Sequence, residues 1–224
     1  MAEFRLPNTT QRTAVVGKTG SGKTQFGMWL LSHAAFDVQP YIIFDFKGEE
    51  FIREIEYVQE IDLNTVPTEP GLYVVRPIPG QEDQVEKFLW DVWSQENTGL
   101  FIDECYMIDK YSKAFKACLT QGRSKHIPMY LLSQRPVQVD RFVFSEADFH
   151  AVFFLNDERD RDVVGKYMPP DVELDERLPE YYCRWYDVPR DQFVILSPVP
   201  DRASILERFN MRLQPPEPPK RRFI

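Results

Sequence analysis

Residues 17–24 read Gly17-Lys18-Thr19-Gly20-Ser21-Gly22-Lys23-Thr24, a complete G-x-x-x-x-G-K-[ST] run, and no other feature limits the fold so strongly. Such a run works only where a strand delivers it and a helix leaves it. Its backbone N–H groups then converge on phosphates, Lys23 reaches the β and γ oxygens, and the Thr24 hydroxyl serves Mg²⁺. Both neighbours are present. Residues 13–16 form a short apolar strand, and residues 23–35 are expected as a helix on which Phe26, Leu30 and Ala34 share one face. The pattern asks for a nucleoside triphosphate and Mg²⁺.

Strand and helix signals alternate beyond the loop. Apolar runs at 41–44, 72–75, 99–102, 129–132 and 151–155 read as strands. The charged stretch 49–60 and residues 109–121 are expected as helices, with a further helix starting near Asp157. In residues 81–94, Val85, Phe88, Leu89, Val92 and Trp93 recur at amphipathic helical spacing. This alternation implies a mostly parallel sheet with helices on both faces. From residue 178 the pattern changes: residues 181–186 and 192–196 flank a turn and predict a hairpin on the sheet edge. A last helix over 202–213 precedes a proline-rich tail ending Lys220-Arg221-Arg222-Phe223-Ile224. The expected organisation is one domain over residues 1–200, then a helix and tail over 201–224.

Two strand ends carry chemistry. The run Gly99-Leu100-Phe101-Ile102-Asp103-Glu104 delivers adjacent carboxylates to the ligand edge of such a sheet. Neighbouring residues there point different ways, so Asp103 is expected in the Mg²⁺ shell and Glu104 as the base that polarises a water. That pair favours hydrolysis over transfer to an acceptor. At the second end, Leu131-Leu132-Ser133-Gln134 places an amide where it donates to a γ-phosphate and accepts from water. Gln134 is the candidate γ-phosphate sensor.

Composition narrows the partners. The 224 residues carry a net charge of −8, which argues against a protein that coats nucleic acid with its whole surface but not against a ring with a basic pore. No apolar run suits a membrane span or a signal peptide, so a cytosolic, non-secreted protein is expected. Cys105, Cys118 and Cys183 lack ligand spacing and read as reduced packing residues.

The stretch from Gln121 through Arg123 to Ser133-Gln134-Arg135-Pro136 resembles the FtsK–HerA superfamily of DNA-pumping ATPases. There an arginine-bearing segment precedes a strand ending in (T/S)-Q-R-P. The motif order is also similar: the phosphate loop, an acid-x-lysine turn (Asp45-Phe46-Lys47), the Asp-Glu pair, then Ser-Gln-Arg-Pro. The likeness spans residues 12 to 165. Its compact size resembles the genome-packaging ATPases of tailless, membrane-containing double-stranded DNA viruses with double jelly-roll capsids. The resemblance implies a three-layer, RecA-like (ASCE) P-loop fold with a C-terminal hairpin extension, and ATP as the nucleotide. It further implies a homo-oligomeric ring, commonly a hexamer, working on double-stranded DNA at a capsid vertex or viral membrane protein, in the host cytoplasm or at the virion. Arg123 is then the first candidate for an arginine finger reaching a neighbour's site, ahead of Arg135, Arg159 and Arg161. Lys113, Lys116 and Lys125 are candidate DNA contacts, against the plainer reading of a solvated face. A cellular or plasmid-borne pump, a phosphate-loop kinase and a nucleotide-gated assembly factor remain as alternatives.

Overall fold

The computed structural model describes residues 4–214. Nine strands form one sheet: β1 (Arg12–Val16), β2 (Pro40–Asp45), β3 (Gln59–Glu60), β4 (Gly71–Val75), β5 (Gly99–Asp103), β6 (Met129–Ser133), β7 (Phe149–Val152), β8 (Cys183–Asp187) and β9 (Gln192–Leu196). Their spatial order is β3-β4-β2-β5-β6-β1-β7-β8-β9. All pairs through β7 are parallel, and β8 and β9 join antiparallel as the expected edge hairpin. Every residue of β1, β2, β5, β6 and β7 is buried, as a sheet covered on both faces requires.

Seven helices cover it: α1 (Lys23–Ser32), α2 (Glu50–Arg53), α3 (Glu82–Gln95), α4 (Lys113–Gln121), α5 (Phe142–Ser145), α6 (Glu158–Gly165) and α7 (Arg202–Leu213). One apolar layer joins α3 and α4 to the sheet through Phe88, Leu89, Val92, Phe115 and Leu119. The opposite layer joins α1 and α7 through Phe26, Leu30, Ile205 and Phe209. Trp185 ties the hairpin into that second layer. It is fully buried, stacked on Phe149 at 5.0 Å between centroids, and tilted against Phe26 at 5.9 Å. Truncating it to alanine leaves a cavity worth roughly 3–5 kcal/mol.

Several boundaries differ from the sequence expectation. The charged stretch 49–60 holds only the single-turn α2; further on, Tyr57 takes φ 63 and the chain joins the sheet as β3. Helix α4 starts at Lys113 rather than 109. Ser112 caps it by accepting from Phe115 N–H, and the Glu86 carboxylate of α3 accepts from Ala114 N–H at 2.9 Å. Helix α1 stops at Ser32, short of residue 35. Strand β7 covers 149–152, since residues 153–154 leave the ladder to bond the phosphate-loop segment: Lys18 N–H donates to Phe154 C=O at 3.0 Å. The proline-rich tail after Gln214 lies outside the described residues.

Candidate nucleotide site

The register of the sheet places the chemistry on one edge. Val16 pairs with Ser133, and Asp45 with Asp103, so four adjacent parallel strands end side by side. Beyond Val16 the chain turns through residues 17–22 into α1. Gly17 fits where a Cβ would come within 2.6 Å of Phe153 Cβ and Ser21 Oγ, and Gly20 and Gly22 take φ 75 and 92. No side chain caps α1. Its first N–H groups therefore face an open recess, where a helix terminus favours an anion.

Lys18, Thr19, Gly20, Gly22, Lys23, Thr24, Lys47, Glu104 and Gln134 all border that recess. Lys23 and Glu104 are both nearly buried, at 5% and 3% exposure. The Lys23 ammonium stands 3.2 Å from Glu104 Oε1 and 3.7 Å from Asp103 Oδ1. Glu104 takes φ 61 and ψ 59 at the head of a 3-10 turn, a left-handed backbone that costs an acid about 1–3 kcal/mol. The turn begins directly after β5, and Asp103 and Glu104 both face the Lys23 ammonium. Gln134 N–H donates to Glu104 Oε2 at 3.2 Å, and its Nε2 donates to the Tyr106 hydroxyl at 3.2 Å. The Thr19 hydroxyl donates to Gln134 Oε1. Phosphate loop, candidate base and candidate sensor thus form one connected network.

Asp103 Oδ1 is buried and accepts no hydrogen bond; Lys23 is an ionic neighbour beyond bonding distance. Burial pushes the Asp103 carboxyl up to about 6, Lys23 pulling it down and Glu104 pushing it further up. An uncommitted buried carboxylate oxygen 3.7 Å from the Lys23 ammonium fits the shell of a Mg²⁺ ion. Among the described residues no cluster of three His, Cys, Asp or Glu groups forms a protein-only metal site, so such an ion would depend on phosphate and water for its other ligands.

Lys47 is the residue that sequence reasoning left in a turn motif. Its ammonium lies 2.7 Å from Glu104 Oε1. Burial lowers its proton affinity, but the hydrogen bond and charge of Glu104 outweigh this and raise it. Asp45 serves structure instead. It is 1% exposed, accepts from Glu49 N–H at 2.9 Å and pairs with Arg76 at 3.0 Å, which fixes the turn carrying Lys47.

The remaining candidates lie elsewhere. Arg123 pairs with buried Asp148, whose N–H donates to Arg12 C=O at the start of β1. With a rise of roughly 3.3 Å per residue, this is about 13 Å from the strand end that carries the loop. Arg135 is exposed next to Gln134. Arg159 pairs with Asp157, and Arg161 donates to the Leu155 and Asn156 carbonyls at 2.9 Å each. Lys113 is exposed on α4, whereas Lys116 lies 3.3 Å from Asp140. Lys125 is bound to Glu96 at 2.7 Å and stands 3.9 Å over the Trp93 ring, so that ammonium is already engaged. No helix among the described residues is long and apolar enough to cross a membrane.

A helix start without side-chain caps, with a buried lysine inside it and a buried carboxylate beside it, is the arrangement of a P-loop nucleotide site. No family model matches the chain. It is 43% identical over 217 residues to the DNA packaging ATPase P9 of Enterobacteria phage PRD1, an alignment spanning 93% of this chain and 96% of that one. The chain belongs to the family of phage DNA packaging ATPases that includes P9. Solved structures share the fold at lower identity. The genome packaging NTPase B204 of Sulfolobus turreted icosahedral virus 2, in complex with AMPPCP, superposes with a TM-score of 0.68 at 22% identity, covering 86% of this chain and 100% of that one. The pCW3 conjugation coupling protein TcpA, with ATPγS, gives 0.60 at 13% identity, covering 91% and 65%.

Proposed function

We propose that this chain is one subunit of a ring, a hexamer by family resemblance, that hydrolyses ATP to drive double-stranded DNA into a preformed viral capsid. The observation that carries the reading is the convergence of Lys23, Glu104 and Gln134 on one phosphate-sized recess. The DNA packaging role of P9 supports the cargo. The protein would act in the host cytoplasm or at the virion vertex, where a capsid or viral membrane protein would dock it.

The triphosphate would lie along the N–H groups of residues 20–24. Before it arrives, two ammonium groups share Glu104 Oε1. Incoming phosphate oxygens draw Lys23 towards themselves, which leaves that oxygen freer to accept a proton from water. The water attacks the γ-phosphorus as the bond to the β–γ bridging oxygen breaks, and ADP leaves with that electron pair. Thr24 and Asp103 would hold Mg²⁺, which when bound draws charge from the phosphate oxygens. Gln134 touches Thr19, Tyr106 and Glu104 at once, so loss of the γ-phosphate would reach the Tyr106 turn through a single side chain. Arg123 would serve the neighbouring subunit's site, and Lys113 is the exposed candidate for a DNA phosphate.

The test is steady-state ATP hydrolysis with and without long double-stranded DNA. Wild-type turnover should rise with DNA. Glu104→Gln should bind ATP yet turn over at least a hundredfold more slowly, the scale of a lost general base. Undiminished turnover in that variant would remove Glu104 from the chemistry.

A further inference from the structure

Beside the phosphate cradle lies a second recess, and the two share Gly22 and Gln25. It holds about 210 Å³ and is lined further by Phe26, Phe153, Tyr181, Pro198 and Val199. A triphosphate seated in the cradle must send its nucleoside somewhere within a few ångströms of the α1 start. This recess is continuous with that start.

Tyr181 marks it as built for a flat ligand. The residue sits third in a tight turn closed by Tyr182 N–H donating to Pro179 C=O at 3.1 Å, and takes φ 64. Glycine or asparagine is at ease there; an aromatic residue is strained. The ring nevertheless lies against the phosphate loop, since a Cβ on Gly22 would come 3.1 Å from Tyr181 Cδ1. It is also 49% exposed, so the core does not account for its placement. The hollow past Tyr181 towards Lys18 and Arg177 differs in character, because both cations there stand over the Phe154 ring, at 5.6 and 4.7 Å.

The lining offers almost no edge recognition. Gln25 is its one polar side chain apart from the Tyr181 hydroxyl, and the Gln25 amide already donates to Pro200 C=O at 2.8 Å. We propose that this recess seats the nucleobase, stacked on Tyr181 and recognised by its face rather than its edge. The substrate class is then nucleoside triphosphates with little preference among bases, with the phosphates supplying most of the affinity. The proposal rests on the reading of the cradle given above.

Equilibrium displacement of radiolabelled ATP from the full chain tests it without needing turnover. ATP, GTP and inorganic tripolyphosphate would serve as competitors against wild type, Tyr181→Phe and Tyr181→Gly. Glycine is chosen because it accepts the positive φ while removing the ring. Base stacking on an aromatic ring corresponds to a roughly 5- to 150-fold change in affinity. Tyr181→Gly should therefore weaken ATP and GTP by that factor and leave tripolyphosphate unchanged, while Tyr181→Phe stays near wild type. An apolar slot discriminates by at most about a hundredfold, so wild-type ATP and GTP should fall within that ratio. Equal weakening of tripolyphosphate would make Tyr181 a prop of the phosphate loop and overturn the proposal. So would unchanged ATP affinity, or a larger base preference. Failure of tripolyphosphate to compete with ATP at all would sink the cradle reading itself.

Discussion

His150 offers a quantitative test of the sheet that carries the site. It lies on β7 directly beside β1, opposite Ala14, and is 2% exposed. Its ring stacks between Tyr167 and Tyr186, with centroids 6.3 and 6.4 Å away. Burial alone lowers its pKa to about 4, with no charged partner contributing. The folded state therefore keeps the ring neutral, while the unfolded chain takes up a proton near pH 6.5. The unfolded state binds more protons between those values, so stability falls as the pH drops. The full loss, for a shift of about 2.5 units, is about 3.4 kcal/mol. Between pH 7.5 and pH 5 it is roughly 2 kcal/mol. His150→Phe retains an aromatic ring for the stack and removes the titration. Urea unfolding at both pH values reads the difference, because carboxylate titrations are common to the two proteins. With a slope of about 2–3 kcal/mol/M, the wild-type midpoint should fall by roughly 0.7–1 M more than that of the variant. Equal midpoint shifts in both proteins would refute the claim that this ring is held neutral by burial.

Two further outcomes probe the site. Lys47→Met removes one of two ammonium groups on Glu104 Oε1, so turnover should fall roughly tenfold with ATP affinity little changed, the signature of a mispositioned base; an unaltered kcat would make Lys47 a bystander. Arg123→Ala leaves Asp148 accepting from Arg12 N–H at 2.9 Å, so the subunit should fold. Mixing it with Glu104→Gln subunits should then recover part of the activity that each lacks alone, whereas no recovery across mixing ratios would count against action in trans.

What the sequence disclosed is what strand ends carry. The phosphate loop, the Asp103–Glu104 pair and Gln134 each close an apolar run, and parallel register brought those ends together. The hairpin was legible because two alternating segments flank a proline turn. Lys47 was harder to see. Its partner is 57 residues away, and nothing local distinguishes a lysine that reaches a buried acid from one in solvent. Tyr181 was hidden similarly, since a positive φ on an aromatic residue has no compositional signal. Lys125 misled in the opposite direction: it reads as a free surface cation until Trp93 and Glu96 of the preceding segment cover it. Charge density in residues 49–60 suggested a helix, yet α2 buries only Phe51 and Ile52, too little to extend it past a single turn.

Should Arg123 act in trans as proposed, its location bears on how subunits would meet. It sits by the start of β1, and the phosphate loop follows the other end of the same strand. An arginine finger acting in trans must therefore cross a boundary that joins unlike surfaces, one subunit's arginine-bearing edge meeting its neighbour's ligand edge. A two-fold contact cannot do this unless one patch spans both edges. A head-to-tail contact does, and it repeats until the rotation closes a ring. Asp148 adds a condition. It is 1% exposed and already receives Arg12 N–H, so Arg123 can exchange that partner for a neighbour's phosphate without leaving a buried carboxylate wholly unsatisfied. If Arg123 acts in trans as proposed, its pairing with Asp148 is the contact an occupied neighbour would have to displace, and ATP binding and ring closure would then favour one another.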